Sequence, residues 1–162
     1  MGVELERFKT AQASEDEGFE AALSQIRSGR KTGHWIWYVL PQLAGLGTSS
    51  MSRAFALRDQ AEAADYVRDS DLGERLLTIL TAIADRSVSL TALMGSEIDT
   101  RKLVSSLTLF EHVARQLDRS ERLERARPLA EIAGRLLAAA AAEGYAPCAH
   151  TMGRLDSEAG LP

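Results

Sequence analysis

Apolar residues recur at helical spacing along most of the chain. In EDEGFEAALSQIRSGRK, Phe19, Ala22, Leu23 and Ile26 fall at i, i+3, i+4 and i+7, one face of a helix, and Gly29 is a natural stop. The spacing predicts a helix over about 15–28, preceded by a shorter one over about 5–12. The glycines and hydroxyls of AGLGTSSM mark a loop that caps a helix running through Met51 to Leu57, and Asp59 can cap QAEAADYVRD. In DLGERLLTILTAIAD, Leu72, Leu76, Ile79, Leu80 and Ile83 make one stripe with Asp71 as its cap. SLTALMG is short, bounded by Ser89 and Gly95. From Asp99 a long helix is expected to reach Leu117, because Leu103, Leu107, Phe110, Ala114 and Leu117 share a face, and Ser120 can cap a further turn.

Pro128 either kinks the next segment or opens a last helix, which Leu129, Ile132, Ala133, Leu136 and Leu137 carry to a stop at Gly144. The tail YAPCAHTMGRLDSEAGLP has no period, so a single domain over residues 1–150 and a mobile tail over 151–162 are expected. Alternating strands with hairpin signals are missing, as is a βαβ pattern with a glycine-rich phosphate loop. The predicted fold class is all-α, one compact domain of about seven helices.

At 162 residues the chain is large enough to bury one core without disulfides or metals. It has no apolar run near the ~20 residues that span a bilayer, and its N-terminus lacks the basic-then-apolar pattern of a secretory signal. With a single cysteine, Cys148, these features point to a cytoplasmic protein and no membrane partner. A net charge of −4 argues against nucleic acid as a partner, since backbone binding needs excess cations. The cations are mostly arginine: of nineteen, only Lys9, Lys31 and Lys102 are lysines.

Two of those lysines lie in or beside the segments richest in chemistry. HWIWYVLPQ, residues 34–42, holds both tryptophans. On a helix Trp35 and Trp37 would point about 200° apart, so one faces the core and the other a pocket or the surface. Leu40 precedes Pro41, so a helix here should end by Val39. The rings are either a core plug or the aromatic wall of a small-molecule site, and Arg30, Lys31, His34 and Gln42 supply polar company for the second. The other segment is DTRKLVSSLTLF. On its helix Lys102 and Ser106 lie about 40° apart on one flank, while Ser105 and Thr108 point to the opposite side. Hydroxyls in mid-helix either bond back to a preceding carbonyl or serve a ligand.

Other groups are weaker. Cys148 and His150 have no partners at metal-ligand spacing, and the cysteine is read as structural or incidental. His112 sits opposite the apolar face, and acidic pairs such as Glu97 with Asp99 read as helix caps. ERLERAR reads as a solvated, ion-paired helix surface. No motif implies a metal or a cofactor.

Together, GRKTGHWIWYVLPQLAGLG, EAADYV, LGERL and DTRKLVSSLTLF resemble a bacterial group, domain-of-unknown-function family 1810. The resemblance runs from about Arg7 to Val113, with an echo at HTMGRL. Its signature falls on Lys31, His34, Trp35, Trp37, Pro41, Gln42, Gly45, Gly47, Lys102, Ser105, Ser106, Thr108 and Phe110. It implies a single, mainly α-helical domain and brings no activity with it. Asp69, Ser70 and Asp71 depart from a histidine and proline usual before LGxRL, and residues 118–145 do not align.

The expectation is one pocket where the HWIWYVLPQ segment meets the Lys102 helix, taking a nucleotide-like or phosphorylated small molecule. Trp35 or Trp37 would stack on a ring, Lys31 or Lys102 would oppose an anion, and Gln42, Ser105, Ser106 and Thr108 would offer hydrogen bonds. His34 and Lys102 are the candidate catalytic groups, His34 because imidazole ordinarily titrates near neutrality. Hydrolysis or transfer at a glycosidic or phosphoryl bond would follow. The alternatives are a protein interaction module anchored by the tryptophans, or aromatics that are simply core.

Overall fold

A computed structural model describes residues 3–159. Among them the helices are α1 Val3–Gln12, α2 Phe19–Arg27, α3 Ile36–Val39, α4 Ser50–Ala54, α5 Gln60–Arg68, α6 Ser70–Ala84, α7 Leu90–Met94, α8 Glu97–Ser120, α9 Ala126–Ala142 and α10 Ala149–Ala159. The class is all-α as expected, with ten helices rather than about seven. Among the additional elements are α3, a short helix, and α10, which the aperiodic tail concealed. The only strand-like feature among the described residues is a single parallel bridge between Leu43 and Leu57.

Local chemistry sets most of the ends. Asp59, Ser89 and Ser96 each accept a backbone N–H from the first turn of α5, α7 and α8, satisfying donors that have no partner inside the helix. Asp69, not Asp71, caps α6, accepting from the N–H groups of Asp71 and Leu72. Pro128 sits in the first turn of α9, where its missing N–H removes no helical bond. The residues of ERLERAR differ from expectation: 121–125 form the turn between α8 and α9, with Arg122 at φ 53°. The expected ion pairing is there, Arg68 with Glu121 and Arg125 with Glu74 at 3.1 Å.

The long α8 is the axis of the molecule. It packs most extensively on α9 and also meets α3, α5, α7 and α10, so residues 103–110 are buried on every side. Helix α6 packs between α5 and α9, α2 covers α6, and α1 rests on α3. Phe8, Tyr66 and Phe110 fill the middle, with Phe8 edge-on to Tyr66 at 5.2 Å between centroids.

Helix α10 closes the fold through polar contacts. His150 Nε2 and the Arg154 guanidinium both bond the Ala44 carbonyl, at 3.0 and 3.1 Å, and Arg154 also reaches the Arg58 carbonyl at 3.0 Å. Glu158 accepts the Gln60 N–H at the start of α5. Gly45, at φ +100°, lies under the His150 ring, where a Cβ would come within 2.7 Å of a ring carbon.

Candidate functional site

The segment 30–35 is fixed from three directions. Gln25 of α2 uses one side-chain oxygen to accept from Thr32 N, Gly33 N and Trp35 Nε1, at 2.9, 2.9 and 2.8 Å. Lys31 N donates to the Leu93 carbonyl at the end of α7, 2.7 Å away. The Lys31 ammonium donates to Gly33 O at 2.5 Å and to Asp99 Oδ2 at 2.7 Å, beside the Trp35 ring. The Lys31 side chain is only 4% exposed, so this carboxylate is its main electrostatic compensation.

Asp99 has a second cation. Lys102, one turn further along α8, donates to its Oδ1 at 3.2 Å and lies 3.8 Å from the centre of the Trp37 ring. Burial would raise the Asp99 carboxyl, but the hydrogen bonds and charges of Lys31 and Lys102 outweigh it and hold the group below its ordinary value. Next to this cluster lies an open cleft of about 420 Å³, lined by Arg30, Lys31, His34, Ser96 and Asp99 among others. His34 is exposed at its rim, and its backbone N–H donates to Glu17 at 3.3 Å.

The sequence-predicted residues thus divide. Lys31, His34, Lys102 and Trp37 gather around Asp99 or its cleft. Trp35 does not serve as a stacking face: it is fully buried and its N–H is taken by Gln25, whereas Trp37 is half-buried. The roughly 200° between the two positions separates them, and Trp35 is the one turned inward. Ser105 and Thr108 are on the other flank of α8, bonded back to the carbonyls of Arg101 and Val104 at 3.1 and 2.8 Å, and Thr108 also accepts the Cys148 N–H at 3.1 Å. Ser106 stays on the Lys102 side, where its buried hydroxyl has no partner among the described residues. Gln42 leads into the Leu43–Leu57 bridge, its carbonyl accepting Leu57 N at 2.8 Å, and none of the hydrogen bonds of the lysine cluster reaches it.

Sequence reasoning missed Asp99 and Gln25. Asp99 carried a usable signal, a carboxylate three residues before Lys102 on a helix, but was read as a cap. Gln25 carried none, because its role depends on a loop folding back over α2. A cavity of about 460 Å³ between the ends of α2 and α6 contains none of these residues. It is lined by Arg27, Asp85 and Arg86 among others. No group of three or more His, Cys, Asp or Glu suited to a metal occurs among the described residues, and no helix there is long and apolar enough to cross a membrane.

The signature residues, now placed, can be set beside known proteins. Residues 2–125 match the family described as Protein of unknown function (DUF1810). The chain belongs to this family. The matched span includes α1 through α8, hence the whole lysine cluster, and stops before α9 and α10. The crystal structure of the conserved hypothetical protein Rv1873 from Mycobacterium tuberculosis is similar, with 31% identity, a TM-score of 0.65, and coverage of 78% of this chain and 84% of that one. No curated protein matches significantly.

Proposed function

We propose that this family member binds a small phosphorylated or nucleotide-like anion in the cleft between residues 30–34 and the start of α8. The observation that carries the reading is the sharing of one carboxylate, Asp99, by two lysines from different elements. One negative charge offsets one lysine, so the cluster keeps a net positive charge, and Arg30 adds another at the cleft wall. Net positive charge at an open cleft favours anions over cations and makes their binding sensitive to salt. Lys31 orders the loop, Lys102 supplies charge, and Trp37 is the ring that a planar group could meet.

The reading extends to chemistry through His34. An exposed imidazole at the rim of an anion cleft is placed to give or take a proton in hydrolysis or transfer at a glycosidic or phosphoryl bond. The interaction-module alternative would have to rest on Trp37, because an anchor must be on the surface and Trp35 is not.

Nucleotides, sugar phosphates and inorganic phosphate should be screened by thermal shift and tryptophan quenching. At least one is expected to stabilise the protein, less so at high salt, and Lys102→Ala should weaken binding by about tenfold, as loss of a charge-assisted contact does. If none of these anions binds while Lys102→Ala changes stability alone, the cluster is a structural ion network and the reading fails. A ligand that binds should then be incubated with wild type and His34→Ala. Turnover lost only in the variant supports catalysis.

A further inference from the structure

The cavity of about 460 Å³ between the ends of α2 and α6 carries charges of both signs that do not neutralise each other. One wall is a row of acceptors. Thr78, Thr81 and Asp85 are spaced i, i+3 and i+7, so they share a face of α6 and its C-cap, and all three line the cavity. Each threonine hydroxyl donates to a carbonyl one turn back, Glu74 at 2.9 Å and Leu77 at 2.7 Å, which leaves only oxygen lone pairs to offer. The cations are Arg27, the last residue of α2, and Arg86. Other arginines find carboxylates, as Arg125 does with Glu74, but among the described residues neither of these two forms an ion pair, and neither does Asp85. Arg86 is further short of an acceptor: Nη1 donates to the Ile83 carbonyl at 3.3 Å, but Nε is buried and without a partner among the described residues. A buried donor without an acceptor is unfavourable. Leu77 and Ala82, packed on the core, add apolar surface.

We propose that this cavity binds a free α-amino acid with an apolar side chain, its carboxylate taken by Arg27 and Arg86 and its ammonium by Asp85 and the threonine oxygens. A simple anion would be opposed by Asp85 and a simple cation by the two arginines, whereas a zwitterion meets each charge with its opposite. The planar carboxylate matches a guanidinium edge. Arg86 turns its Nε edge to the ligand on binding, and the orphaned N–H gains its acceptor. An ammonium has three donors and no lone pair, which suits a carboxylate beside two hydroxyls whose own protons are spent on α6. The side chain lies against Leu77 and Ala82. The volume falls in the range of small-molecule sites. No residue is shared with the cleft beside Asp99, so this site stands whether or not that cleft takes a phosphorylated anion.

The test titrates the full chain with L-leucine, L-methionine and L-phenylalanine by calorimetry and ligand-observed NMR. Two analogues of leucine accompany them: isocaproate, which lacks the amino group, and isoamylamine, which lacks the carboxylate. At least one amino acid should bind at millimolar concentration or below. For leucine, each analogue should bind about tenfold more weakly or worse, since each leaves one set of charges unmatched. Arg27→Gln and Asp85→Asn change exposed side chains, so both should keep the fold by circular dichroism. Each should weaken the amino acid by about tenfold, the loss of one charge-assisted contact. Asp85→Asn should also bind isocaproate more tightly than wild type does, because the repelling carboxylate is gone. The proposal is overturned if none of the three amino acids binds, if leucine binds no better than its analogues, or if both variants bind as wild type does. The analogue comparison needs no variant, so it decides the matter even if a substitution unfolds the chain.

Discussion

Asp99 balances a lysine that is almost wholly buried, so removing its charge strands that cation. Asp99→Asn is expected to destabilise the fold by about 3 kcal/mol, the usual cost of breaking a buried pair from one side, measurable by urea denaturation. The acid limb gives an independent reading. Because the folded-state carboxyl is held below its unfolded value, its contribution is complete above the unfolded pKa of about 3.9 and is lost as pH falls through the folded value. Asp69, lowered in the same sense by Lys9, adds to that loss, so the informative quantity is a difference: stability should fall less steeply below about pH 4 in Asp99→Asn than in wild type. At Gln25, three donors lose their acceptor together. Gln25→Ala should therefore cost about 2–3 kcal/mol, more than one ordinary hydrogen bond, and should loosen the Lys31 segment in hydrogen exchange.

Helix α10 is held by side chains that bond carbonyls of a distant loop, and this makes Gly45 and His150 a coupled pair. Gly45→Ala meets both a backbone at φ +100° and the His150 ring, with an expected loss of about 1–3 kcal/mol. Adding His150→Ala relieves the clash but not the strain, so the double variant should lose less than the sum of the singles in a thermodynamic cycle. The same element marks the limit of what the sequence could disclose. Helices α2, α6 and α8 were legible because each buries an apolar stripe, and the end of α3 at Val39 followed from Pro41. In α10 only Thr151 and Leu155 are buried, and a helix docked by His150, Arg154 and Glu158 leaves almost no hydrophobic period to read. The site was half legible for a related reason. Lys31 and Lys102 were conspicuous as scarce lysines, but their meeting at Asp99 joins positions 68 residues apart, and periodicity carries no information over that range.

For the whole molecule, the two indoles make a spectroscopic ruler. Native emission should be blue-shifted because Trp35 is in the core, while acrylamide should quench a minor component that Trp37→Phe removes. Loss of that component with the fold intact would place Trp37 at the surface and Trp35 inside; quenching that persists in Trp37→Phe would contradict the burial of Trp35. The α10 clasp also has a temporal side. Ala44 is separated from His150 and Arg154 by 106 and 110 positions, so in a nascent chain that carbonyl and its loop wait for the clasp until those residues have been made. Synthesis proceeds at ~5–20 residues per second, a wait of about 5–20 seconds. Until the last clasp forms, the loop is left to water and to whatever chaperones meet it.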